Sequence, residues 1–248
     1  MTFLCIDIGA TKTLIGIGEV EFEDLKKIPT DYFLQHMESE IQSHIHSKEI
    51  ENAALATAGP LDLDKGEIYP PNISQDRIQI KEPLEKHFQN ITIMNDCSAG
   101  VIGEYVYGKG SAENMIYLTI STGIGAGVIA DGRLIRGWKG NFAEVGHMKI
   151  TNEMRCGCGG IGHWEACCSG KNLPALAEHL TGEKFSTASH LFKEYRKGNK
   201  NAEKTIHKMQ EYNIAGISNM INLYNPELIV IGGGAAVNNP DLIIGPLK

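Results

Sequence analysis

Apolar positions in the first half of the chain form short runs broken by glycine-rich turns, and in much of the second half they recur at helical spacing. Residues 3–19, FLCIDIGATKTLIGIGE, set two apolar runs either side of a Gly-Ala-Thr-Lys turn. That pattern predicts a β-hairpin presenting Gly9, Thr11 and Lys12. Met115 to Leu134, MIYLTISTGIGAGVIADGRL, repeats the design, with Thr122, Gly123, Gly125 and Gly127 where the first copy has Gly9 to Lys12. A weak internal repeat of this kind predicts two related lobes, here 1–112 and 113–248.

Between the hairpins, Phe33, Leu34, Met37, Ile41 and Ile45 predict a helix from Asp31 to Ser47, with His36, His44 and His46 read as surface residues. Ala53 to Pro60, AALATAGP, reads as a buried strand ending in a Gly-Pro turn, and the stretch from Tyr69 as a rigid Pro-Pro loop presenting Asn72. Ile91 to Met94 predicts a short strand that ends in Asn95-Asp96, before a helix starting near Ser98. Further on, helices are predicted over Asn172–Leu180, Ala188–Tyr195 and 202–224, the last stopped by Asn225-Pro226. Leu228 to Ile231 then reads as a buried strand breaking into Gly232-Gly233-Gly234, which permits close approach of a flat ligand or simply a tight turn.

The 248 residues, 42% hydrophobic and 21% charged, are ordinary for a soluble globular protein with a large core. A formal charge of −7 argues against a nucleic-acid or anionic-membrane surface. No apolar run reaches the length of a membrane span, and Met1 to Gly9 lacks a charged leader, so the reading is cytoplasmic. Six cysteines in so long a chain fit metal binding in a reducing compartment better than a disulfide framework.

The candidate chemistry sits where strands end. Asp7 closes an otherwise apolar strand, where a carboxylate is costly without a partner such as hydrated Mg²⁺. The adjoining turn offers backbone N–H groups, the Thr11 hydroxyl and the Lys12 ammonium to phosphate oxygens; the alternative is an ordinary solvated hairpin. Asn95-Asp96 falls at a sheet's carboxyl edge, where ligands collect in α/β folds, although Asp96 or Ser98 capping the helix explains the pair as well. Glu144 to Gly170 packs His147, Cys156, Cys158 and His163 among glycines, flanked by Glu144 and Glu165. Two thiolates and two imidazoles suit tetrahedral, structural Zn²⁺, yet the cysteines stand one residue apart, unlike a zinc finger, and a loop of free thiols fits the spacing equally.

Taken together, IDIGATKT, NDCSAG, STGIGAG, EVGHM, CGCGGIGHWEACCSG and NPELIVIGGG resemble, in order and over nearly the whole chain, the motifs of the ROK family of sugar kinases. The resemblance implies an α/β fold of two ribonuclease-H-like lobes, as in actin, hexokinase and Hsp70, closing over ATP and sugar. It implies Asp96 as the base that takes the proton of the sugar hydroxyl, and Asp7 as a holder of Mg²⁺, through water. It implies phosphate contacts from Gly9, Thr11, Lys12, Thr122 and Gly123, and adenosine contacts from Gly233 and Gly234. Sugar contacts would come from Gly59, Asn72, Asn95, Asp96, Glu144, His147 and Glu165. Structural Zn²⁺ would be held by His147, Cys156, Cys158 and His163, with His147 also meeting the sugar. Cys167 and Cys168 then read as packing residues.

This sequence departs from the family pattern in three places. His163 stands where the family has a third cysteine, Ala10 replaces the usual second glycine, and the family's returning C-terminal helix would follow residue 248. The expected partners are a hexose or N-acetylhexosamine and ATP, with a homodimer or larger homo-oligomer. The alternative is a sugar-responsive regulator of the same family without kinase activity. A dinucleotide-dependent oxidoreductase is disfavoured, because both glycine turns lie between strands instead of entering a helix.

Overall fold

The structure, a computed structural model, describes residues 1–46, 49–69, 76–108 and 112–247. The chain divides into two compact units, Met1–Ala99 with Arg136–Phe142, and Gly100–Ile135 with Ala143–Lys248.

In the first unit, β1 (Phe3–Ile8), β2 (Lys12–Gly18), β3 (Phe22–Pro29), β4 (Asn52–Thr57) and β8 (Asn90–Asn95) form a sheet in the order β3-β2-β1-β4-β8. The predicted hairpin is there, with β1 and β2 antiparallel, while β1, β4 and β8 run parallel. Alternation explains the sidedness: Leu4, Ile6 and Ile8 turn into the core, and Asp7 faces the other way. Three short strands, β5 (Leu61–Asp62), β6 (Glu67–Ile68) and β7 (Ile78–Gln79), make a separate small sheet.

Several elements differ from the sequence expectation. Strand β3 has no apolar alternation, because it is an edge strand with Ile28 as its one buried residue. Its charges suit an edge that must not pair with another chain. The helix expected over 31–47 is two helices, Thr30–Gln35 and Met37–Ile45, broken at His36, whose N–H is shared between the Tyr32 and Phe33 carbonyls. The apolar stripe survives the break, since Phe33, Met37 and Ile41 are all buried. The helix expected from Ser98 begins two residues earlier and spans Asp96–Tyr107.

The second unit repeats the connectivity. Strands β9 (Met115–Ile120), β10 (Ile124–Ala130), β11 (Arg133–Leu134) and β12 (Leu228–Gly232) lie in the order β11-β10-β9-β12, again with an antiparallel hairpin beside a parallel strand. Strand β12 is half-buried along its whole length instead of buried, because among the described residues it is the edge of its sheet.

The helices after residue 170 appear as expected, as Leu173–Thr181, Ala188–Arg196 and Lys200–Tyr224. The long helix is capped by the Asn199 side chain and ends at Asn225 in the left-handed region. It packs on Trp164, which is fully buried and donates its indole N–H to Asn213 Oδ1 at 2.8 Å. The close approach requires Gly216, where a Cβ would lie 2.5 Å from the Trp164 ring. Alanine in a helix normally gains about 1 kcal/mol over glycine, but overpacking costs about 1–3 kcal/mol. Gly216→Ala is therefore expected to lower the thermal midpoint by several degrees; a midpoint raised by the helix-propensity gain would refute this account of the packing. Among the described residues no helix is long and apolar enough to cross a membrane.

Candidate active site

In the first unit the ends of three parallel strands gather the predicted polar residues. The register pairs Ile8 with Thr57 and Thr57 with Asn95, so Asp7, the Gly59 turn and Asn95-Asp96 share the sheet's carboxyl edge. Asn95 Oδ1 accepts the backbone N–H groups of Cys97 at 2.8 Å and Ser98 at 3.4 Å, and Asp96 Oδ1 also accepts that of Cys97 at 2.8 Å. Asn95 thus caps the helix that Asp96 opens. Its amide nitrogen turns to Gly59, 3.5 Å from where a Cβ would be.

Asp7 is exposed along its side chain, yet its carboxyl loses hydration among its neighbours. That desolvation, with repulsion from Asp96, holds it above the usual carboxylate range. A desolvated carboxylate with a second carboxylate near enough to repel it fits a divalent cation beside it. The Gly9–Lys12 turn closes by a Gly9 N–H to Lys12 carbonyl bond of 3.1 Å and leaves Thr11 and Lys12 exposed. It is braced by Thr30, whose hydroxyl donates to the Gly9 carbonyl at 2.8 Å.

The second unit holds the remaining residues. The Ser121–Gly123 turn is pinned by Gly170 N–H to the Ser121 carbonyl at 2.7 Å and Lys171 N–H to the Thr122 carbonyl at 3.2 Å. Glu165 Oε2 accepts the Ile124 N–H at 2.9 Å and lies 2.6 Å from where a Gly123 Cβ would be, so this carboxylate is tied to the hairpin. Gly233, with φ of 89°, precedes the helix Gly234–Asn238 and approaches the Ile120 carbonyl. Asn72 lies outside the described residues.

His147, Cys156, Cys158 and His163 offer one donor atom each, all within 4.8 Å of one another. The backbone folds back tightly here because Gly162, with φ of 78°, sits where any Cβ would meet the Thr151 carbonyl. His147 closes a single 3₁₀ turn, Val145–His147, and its Nδ1 is 3.3 Å from Glu144 Oε2. That hydrogen bond raises the His147 pKa. A bond from the Gly160 backbone holds the Cys158 thiol below its ordinary value, burial pushes Cys156 up, and desolvation lowers His163. A stabilised thiolate, a neutral imidazole and a carboxylate-backed histidine form a donor set that fits Zn²⁺. Cys167 and Cys168 lie buried outside this group, the Cys167 thiol pushed up by burial to about 12.

Residues 3–243 match the model of the ROK family. The chain belongs to the ROK family. A ROK hexokinase from Thermus thermophilus superposes with a TM-score of 0.84 at 28% identity, covering 100% of this chain and 86% of that one. A glucokinase from Pyrobaculum calidifontis is 34% identical over 244 residues, 97% of this chain and 82% of that protein. A xylose repressor from Bacillus subtilis is 31% identical over 196 residues, 75% of this chain and 49% of that protein.

One part of this ROK chain carries no motif in the sequence, the segment Arg136–Phe142, which belongs to the first unit although its flanking residues belong to the second. Asn141 Oδ1 accepts the Leu61 N–H and its Nδ2 donates to the Leu61 carbonyl, both at 2.8 Å. Lys139 pairs with Asp62 at 2.9 Å. Only the two glycines of RGWKGNF hinted at a tight, specific turn there.

Proposed function

We propose that the chain is an ATP-dependent kinase that phosphorylates a hexose hydroxyl, of the glucose or N-acetylhexosamine type, to give the sugar 6-phosphate. The observation that carries this reading is Asp96, a carboxylate opening a helix at the carboxyl edge of β1, β4 and β8, with Asp7, Gly59 and Asn95 around it. Family membership and the glucokinase relative support it. Asp96 takes the proton of the attacking hydroxyl, the hydroxyl oxygen bonds to the γ-phosphorus, and ADP leaves. Gly59, Asn72 and Asn95, with Glu144, His147 and Glu165, hold the sugar hydroxyls. Glu165 keeps Oε2 on Ile124 and reaches the sugar with its other oxygen.

The turns at Gly9, Thr11 and Lys12 and at Thr122 and Gly123 present donors to phosphate, and Gly233 and Gly234 face adenosine. Asp7 would hold Mg²⁺ through water, which supplies charge to offset the phosphates. His147, Cys156, Cys158 and His163 would hold Zn²⁺, which braces the loop. Two ribonuclease-H-like lobes, 1–112 and 113–248 in chain order, accompany this reading.

The repressor relative favours a second reading, a sugar-binding regulator. ADP release from Mg-ATP against a panel of hexoses and N-acetylhexosamines decides between them. Sugar-dependent ADP release with a sugar phosphate as product is expected. Tight binding of a sugar with no ADP release would overturn the kinase and leave the regulator.

A further inference from the structure

Strand β5 has one edge paired with β6, where Leu61 lies opposite Ile68. Among the described residues its other edge receives no strand; there the N–H and carbonyl of Leu61 are both taken by the primary amide of Asn141, at 2.8 Å each. A side-chain amide carries one acceptor and two donors, so it can stand in for a neighbouring peptide group. The same Asn141 oxygen lies 3.5 Å from the place of a Gly59 Cβ, as does the amide nitrogen of Asn95. Asn141 and Asn95 therefore converge on the place a Gly59 side chain would take. Lys139 adds a second tie to the same strand through Asp62 at 2.9 Å, with Asp64 at 3.7 Å. At Gly140, with φ of 83°, a Cβ would stand 2.9 Å from Leu63 Cδ1, so the strap is fitted closely against this loop.

We propose that Asn141 is a positioning residue for the sugar acceptor. It fixes Leu61, and through it the Gly59 turn, at the distance from Asn95 that sugar recognition requires. The inference rests on the sugar-kinase reading, which brings Gly59 and Asn95 to the sugar. It goes beyond that reading by assigning acceptor affinity to a side chain whose amide is engaged by the Leu61 backbone. The hydrogen bonds of Asn141 to Leu61 and the ion pairs of Lys139 to Asp62 and Asp64 lie away from the Gly9–Lys12 turn in sequence, so the nucleotide side is expected to be insensitive to Asn141.

The test uses the full chain and two variants, Asn141→Ala and Asn141→Asp, with KM for sugar and for ATP, kcat, melting, and hydrogen exchange of the Leu61 amide. Asn141→Ala is expected to raise the sugar KM roughly tenfold or more, the scale on which misplaced positioning groups act. The ATP KM should stay within about twofold, and the Leu61 amide should lose protection. Asn141→Asp keeps an acceptor for the Leu61 N–H, so that amide stays protected and the sugar KM rises less. Should the alanine variant fail to fold, the aspartate variant carries the same comparison of the two KM values. An unchanged sugar KM, or sugar and ATP KM rising together, overturns the proposal. If the wild-type chain turns over no sugar, the kinase reading falls by itself. The comparison then passes to sugar affinity by calorimetry, where equal affinity in wild type and variant, or none in either, overturns the role of Asn141.

Discussion

Asp96→Asn is expected to lower kcat by about 10²–10⁴-fold, the contribution of a positioned general base, while the protein stays folded and binds its sugar. The substitution preserves shape and keeps an oxygen for the Cys97 N–H, which the native Oδ1 accepts at 2.8 Å. The helix start does not depend on it, because Asn95 already caps Cys97 and Ser98. A thermal midpoint close to wild type is therefore expected, in contrast to the roughly 0.5–2 kcal/mol that loss of a true cap costs. A second consequence is independent of turnover. Asp7 titrates above the usual carboxylate range chiefly through lost hydration and secondly through repulsion from Asp96. With Asp96 neutralised, the repulsion goes and the desolvation stays, so the Asp7 pKa should fall part of the way towards normal in a carboxyl NMR titration. Loss of activity with an unmoved Asp7 pKa would separate the two carboxylates; retained activity would remove Asp96 from the role of base.

The elements that were legible in the sequence are those whose causes are local. Both hairpins announce themselves, since apolar strands and glycine turns occupy about 20 consecutive residues. The four candidate donors could be picked out as well, because all of them fall between His147 and His163, although their spacing fits free thiols equally. What stayed hidden depends on distant partners. Strand β3 lacks alternation because an edge strand has little to bury, and its pairing is set by β2. The break at His36 leaves the apolar spacing intact, so periodicity cannot register it. Asn95, Asp96 and Ser98 are all residue types that cap helices, and only the geometry selects Asn95. Asn141 is bound to Leu61 across 80 positions of sequence, and nothing next to either residue signals the other. Gly216 reads as an ordinary weakness in a helix until Trp164 is placed against it.

Removing the metal is expected to cost stability and turnover together. The loop from Met148 to Gly162 has few buried side chains, and Cys156 is the one apolar anchor among them. A segment so poor in apolar burial needs another source of order, and four donors within 4.8 Å of one another supply it when a metal is bound. Without a metal the group keeps only weak ties, such as the 3.3 Å contact of Cys158 Sγ with His163 Nδ1. Chelation at neutral pH should therefore lower the thermal midpoint by about 10 °C, which for a chain of this size corresponds to roughly 3 kcal/mol. Cys158→Ser makes the sharper test, because Cys158 is exposed and its loss opens no cavity. Cys167→Ala is the control: its thiol is buried, pushed up to about 12, and outside the donor group.

Metal analysis should then find close to one zinc per chain in wild type and Cys167→Ala, and much less in Cys158→Ser. Activity should follow the metal, because His163 is the residue immediately before the helix Trp164–Cys168, which carries Glu165 to the Ile124 N–H. A loop freed at His163 releases the start of that helix, and with it the carboxylate that fixes the second glycine turn. A protein isolated without metal, indifferent to chelator and fully active, would show instead that buried Trp164 alone orders this helix.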